Sequence, residues 1–179
     1  MGAVLAVVAS VICVTSLLSP EHLTIIANRL ANRFLNADVT IGRVELNLKG
    51  NTPLLTLRVD DVTVLSRPMM QASDRSQFPQ WADSLLTLKR FEGGLNVPAL
   101  IAGNFDLYDV EFETPGINLL TVNDSLSNYM IYTAESDEKS NDSPLPKISI
   151  NRFRILSPKP LRFKNLSTGQ DFTLSLESL

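Results

Sequence analysis

The chain has 179 residues, 44% of them apolar and 20% charged, with a net charge of −3. That length holds one ordinary domain plus an extra segment and excludes two independent globular domains. A single cysteine, Cys13, excludes an intramolecular disulfide, so an exported fold stands on burial alone.

Gly2 to Leu18 carries no charge. As a helix it extends about 25 Å, a little short of the roughly 30 Å hydrocarbon layer, so it spans a bilayer with little tilt. The run exceeds the usual apolar core of about 7 to 15 residues in a cleaved signal peptide, and Pro20 follows Leu17-Leu18-Ser19 where a small-residue cleavage site is expected. A retained anchor over residues 1–19 is therefore preferred to secretion after cleavage. No Lys or Arg precedes the run while Arg29 and Arg33 follow it, which on charge alone places the remainder in the cytoplasm.

Ser19-Pro20-Glu21 is a helix start, with Ser19 as N-cap, Pro20 at the first helical position and Glu21 complementing the dipole. Leu23, Ile26, Ala27, Leu30 and Phe34 recur at helical spacing, with Asn28, Arg29, Asn32 and Arg33 on the other side. An amphipathic helix is expected over 20–36, its apolar stripe plugging one end of a sheet rather than lying on a membrane.

From residue 37 the period becomes two. Val39 and Ile41 alternate, the pattern slips at Gly42-Arg43, and Val44, Leu46 and Leu48 resume it. Leu55, Leu57 and Val59 follow, with a second slip at Asp60-Asp61 before Val62 and Val64. Slips of this kind predict a curved, strongly twisted sheet. Residues 66–83 lack either period and read as a long excursion or short helical insert, with Trp81 a packing residue. Strand signals return at Leu86 and Leu88, near Leu95 and Val97, from Phe105 to Phe112, and at Ile117 and Leu119.

Residues 101–146 hold nine Asp/Glu and one Lys/Arg, and the polar run 133–146 within them predicts a flexible loop. Alternation resumes at Ile148 and Ile150, and Leu161, Phe163, Phe172, Leu174 and Leu176 predict a hairpin turning over 165–170. The module thus runs over 37–179 and reads as mainly β. Its last residue, Leu179, falls in strand register, so an incomplete C-terminus is expected.

Chemistry-bearing motifs are missing. His22, the sole histidine, has no partner at metal-ligand spacing, and no nucleophile elbow, phosphate loop, dinucleotide fingerprint or Cys/His cluster occurs. Asp60 and Asp61, as strand neighbours, point to opposite faces and cannot share one reacting atom. The basic stretch from Arg152 to Lys164 carries only Phe153 and Phe163, too few aromatics for a nucleic-acid platform, and reads as a solvated strand face. The expectation is a non-enzyme with no catalytic residue, no metal, no cofactor and no nucleic-acid partner.

Leu23 to Phe34 followed by Asn36-Ala37-Asp38-Val39-Thr40-Ile41-Gly42-Arg43-Val44-Glu45-Leu46 resembles the opening of the AsmA family. The segment from Leu57 to Val64 is similar to that family's next strands. Residues from Leu95 to Leu107, Pro115-Gly116-Ile117-Asn118-Leu119, and the stretch from Asn123 to Tyr129 resemble its later units, although Ser125 stands where glycine is commoner.

The resemblance covers roughly residues 1–130. It implies a single-pass inner-membrane anchor of a Gram-negative envelope, a body in the periplasm, and kinship with TamB-like and chorein-type lipid-transfer proteins. It also implies a curved antiparallel sheet forming an open groove for phospholipid acyl chains, in support of outer-membrane biogenesis. Val44, Leu46, Leu48, Leu55, Leu57, Val59, Leu107 and Phe112 are the groove candidates. From the residues alone, a closed sandwich or barrel core explains them equally well. An anchored assembly factor that binds outer-membrane assembly proteins and carries no lipid is the alternative function.

Overall fold

The computed structural model describes residues 19–48, 54–101, 105–131 and 148–177. The anchor read over 2–18 and the loop read over 133–146 lie outside them. Among the described residues no helix is long and apolar enough to cross a membrane.

Helix α1 (Pro20–Phe34) starts where its capping residues place it, the Ser19 hydroxyl accepting from the His22 amide. It ends two residues earlier than the periodicity predicts, with Leu35 already extended. Strands β1 (Ala37–Leu48), β2 (Leu54–Ser66) and β3 (Ser84–Asn96) form an antiparallel meander, interrupted by α2 (Arg67–Met70) and the turns up to residue 83. Val97, expected to extend a strand, instead opens the short helix α3 (Val97–Ile101). Pro98 explains the change, because it removes an N–H from the ladder and suits a first helical turn.

Strands β4 (Phe105–Glu113) and β5 (Gly116–Asn123) both run antiparallel to β3, β4 along its second half and β5 along its first. A short β6 (Leu126–Ser127) folds back on β5. The next strands, β7 (Ile148–Ile150), β8 (Phe153–Leu156) and β9 (Leu161–Asn165), then retrace the same line, and β10 (Gln170–Leu174) closes a hairpin with β9 as expected.

This retracing corrects the antiparallel expectation. β7 and β8 pair parallel with β4, and β9 pairs parallel with β5, making one mixed sheet of ten strands. Parallel pairing needs a crossover of about a dozen residues or more. The polar stretch between β6 and β7 supplies that length, so the return leg and the outgoing leg share a direction. Among the described residues the sheet is not closed: β1 pairs only with β2, and β10 only with β9.

Two small cores hold it. Ala37, Val39 and Val64 are buried beneath Ala31 of α1 and Leu35 just after it, with Ile131 beside them. Met69, Ala82 and Leu120 form the second, to which Phe78 and Trp81 of the 67–83 insert add, so Trp81 is a packing residue.

Candidate functional site

Paired residues of neighbouring strands project to one side of a sheet. Val39 pairs with Val64 and that residue with Leu86, which pairs with Ile117; Ile41, Val62 and Leu88 make the next row. Val44, Val59, Phe91 and Phe112 make a third, Leu46, Leu57 and Gly93 a fourth, and Leu55, Leu95 and Leu107 a fifth. The apolar positions thus change from odd to even along β1 between Ile41 and Val44, and reciprocally along β2 and β3.

Both groups nevertheless lie on one side. Leu86 and Leu88 line the same cleft as Phe112, whose ring centroid is 5.2 Å from that of Phe91. Backbone irregularities make this possible: Asp61 takes a left-handed φ of 55° opposite Gly42, and the β1–β2 register stays unbroken through them. Sequence slips at Gly42-Arg43 and Asp60-Asp61 therefore compensate one another across the pair. Further along, Asp109 (φ 50°), Thr114 (φ 53°) and Ser157 (φ 46°) reset the alternation in β4 and in the strands beside it. The breaks after β4 and β8 match in position, and Thr114 N–H to Leu156 O (2.7 Å) and Lys159 N–H to Pro115 O (2.8 Å) bridge them.

The cleft has a volume of about 250 Å³ and is lined by Leu86, Leu88, Phe112, Pro115, Ile117, Phe153, Ile155, Lys159, Leu161 and Leu176. Phe153 and Ile117 are 49% and 36% exposed, and beyond the cleft Phe172 and Leu174 are 46% and 51% exposed. Phe112 and Phe153 lie 5.5 Å apart, and Phe163 stacks on Phe172 at 4.7 Å, so aromatic side chains mark the face from β3 to β10.

Of the groove candidates, only Phe112 lines the cleft. Val44 and Leu46 on β1, Leu55, Leu57 and Val59 on β2, and Leu107 on β4 lie on the same face outside the cleft, Val44 buried and the others half-buried. Leu48 pairs with Leu55 along the backbone. Sequence reasoning marked Leu86, Leu88, Ile117 and Leu161 as strand residues but not as part of the surface, and it missed Phe91, which sits where the alternation changes.

The opposite face is ionic. Glu45, Arg58, Glu92, Glu111 and Arg154 pair successively across five strands, as do Arg43, Asp60, Arg90 and Glu113 in the row beside them. Asp60 accepts from Arg90 at 2.8 Å and from Arg58 at 2.9 Å, and Arg154 reaches Glu111 at 3.2 Å. Partial burial pushes the Asp60 carboxyl up, but the two guanidinium groups outweigh it and hold it below the ordinary carboxylate range. The Lys89 ammonium does the same for Glu113. Such pairs contribute about 0–1 kcal/mol each at a surface, so they identify a water-facing side more than they hold the sheet together. Toward β5 the same face is covered by the 67–83 insert. Among the described residues no group of His, Cys, Asp and Glu is placed to hold a metal ion.

Asn128 is fully buried beside this site. Its side chain accepts from Leu120 N–H at 2.9 Å and donates to the carbonyls of Asn118 (2.9 Å) and Ala82 (3.3 Å), tying β5 to the insert. The chain matches no protein-family model, no curated protein and no solved structure.

Proposed function

We propose that this is a membrane-anchored envelope protein of AsmA type, whose apolar sheet face binds phospholipid acyl chains and passes them between the inner and outer membranes. The observation that carries the reading is the one-sidedness of the sheet. Among the described residues its apolar face runs from β1 to β10 without a second sheet stacked on it, while ion pairs occupy the reverse. A folded domain ordinarily buries such a face against another layer. Hydrocarbon tails are a natural cover here, because they ask for burial and no directional bonds.

The cleft supports one chain at a time. Its volume is below the roughly 300–1,000 Å³ of sites for drug-sized ligands, which suits a single alkyl segment with the head group left in water. Each shielded methylene contributes about 0.8 kcal/mol, so a tail moving from row to row exchanges equivalent contacts at small net cost, whereas leaving for water loses them all. The anchor over residues 2–18 and the periplasmic location belong to the same proposal and rest on composition and on the AsmA resemblance.

Photo-reactive benzoylphenylalanine placed at Leu57 or Ile117 in the full chain, expressed in a Gram-negative envelope, tests it. Phospholipid adducts are expected from both positions and not from Lys89 on the ionic face. Adducts with envelope proteins alone would replace this reading with the assembly-factor one.

A further inference from the structure

Helix α1 packs Ala31 on the first core but turns its larger apolar residues away from the sheet. Of the stripe expected to face the sheet, Leu23 and Ala27 are half-buried, but Ile26, Leu30 and Phe34 are 46%, 47% and 63% exposed, and Ile25 is 54% exposed. The helix cannot roll to bury them, because its docked side is fixed by hydrogen bonds. Thr24 Oγ1 accepts from Val44 N–H at 2.8 Å. The Asn28 amide both donates to Ile41 O and accepts from Ile41 N–H at 2.8 Å, and Asn32 does the same for Val39 at 2.6 and 3.0 Å.

We infer that α1 lies in the interfacial layer of the bilayer, with Ile26 and Leu30 among the upper acyl chains and Arg29 and Arg33 at lipid phosphates. The inference rests on reading residues 2–18 as an anchor and is independent of what the sheet face carries. Three observations select lipid as the occupant. Residues 2–18 are uncharged and end one residue before α1, so, read as an anchor, they hold the start of this helix, about 22 Å long, at the membrane surface. Ser19 is extended (ψ 144°) and Pro20 starts α1, which lets the helix take its own direction there and run along the surface. Arg29 and Arg33 are exposed beside the apolar stripe and take part in no ion pair among the described residues, an arrangement that lets their stems lie in the apolar layer while the guanidinium groups reach head groups.

The test uses the full chain with Trp81→Phe and a reporter introduced by Leu30→Trp, reconstituted in mixed phosphatidylcholine and phosphatidylglycerol vesicles whose chains are brominated near the head group. Ile26→Trp serves as a second reporter and Lys89→Trp as the reference. Several-fold stronger quenching at positions 30 and 26 than at 89, with blue-shifted emission, is expected, and Arg29→Glu with Arg33→Glu should reduce it. Carbonate washing reports separately on the anchor. Unquenched, water-like emission from chains that survive the wash overturns the inference, as does a blue shift insensitive to bromine, which would place protein over the stripe. Release by carbonate removes the anchor and the inference together, while leaving the lipid-capture test of the sheet face standing.

Discussion

At the scale of single residues, buried polarity decides what can be changed. Asn128 uses its side chain for three hydrogen bonds from a fully buried position, so Asn128→Ala leaves the Leu120 amide and two carbonyls without partners. Stability should fall by about 1–3 kcal/mol, read from the midpoint and slope of urea unfolding. Asp60 sets a pH dependence of definite sign. Its folded pKa is lowered, so its contribution is present above the ordinary aspartate value of about 3.9 and disappears as pH falls through the lower folded value. Asp60→Asn should therefore be less stable than the parent at neutral pH and converge on it in strong acid, measured by unfolding between neutrality and about pH 2. Both residues were visible in the sequence, Asn128 within the family-like stretch and Asp60 at a slip in the strand pattern, where it was set aside as a catalytic carboxylate. Their partners were not, because Arg90 and Ala82 lie far away along the chain.

At the scale of elements, the join between α1 and β1 is the most specific feature. An edge strand exposes alternate backbone N–H and C=O groups, and the amides of Asn28 and Asn32, four residues apart on one helix face, meet Ile41 and Val39 two residues apart on the strand. Asn28→Ala removes both bonds to Ile41. It should cost about 1–2 kcal/mol and speed hydrogen exchange at the Ile41 amide, which NMR or mass spectrometry of deuterium uptake would detect. Sequence patterning located this helix well, since Ser19-Pro20-Glu21 is a local signal. It assigned the docking face only in part: Leu23 and Ala27 are half-buried, but Ile26, Leu30 and Phe34 point away, and Asn28 and Asn32, placed on the other side, dock on the strand. That Thr24, Asn28 and Asn32 form a contact line becomes legible only once β1 is known to be an edge. Parallel pairing was hidden for a similar reason: a polar loop shows its length but not the direction in which the chain returns.

At the scale of the whole molecule, the mainly β character and the rows from Val44 to Leu57 were readable, because period-two alternation is local. The continuation through Phe91, Phe153 and Leu161 was not, because it depends on left-handed residues at 61, 109, 114 and 157 that return the apolar positions to one side. Residues 66–83, read as a long excursion or short helical insert, carry the short helix α2 and pack on the ionic side toward β5. A further consequence lies in the unequal margins of the sheet. One margin is sealed by asparagine side chains, whereas β7, β8 and β10 offer outward backbone groups with no strand beside them among the described residues. A strand donated to this scaffold, by whichever polypeptide, therefore finds a pairing edge on the side remote from the helix. Each addition would extend the oily surface by about 4.8 Å, making the assembly a ruler that lengthens in one direction from a fixed zero.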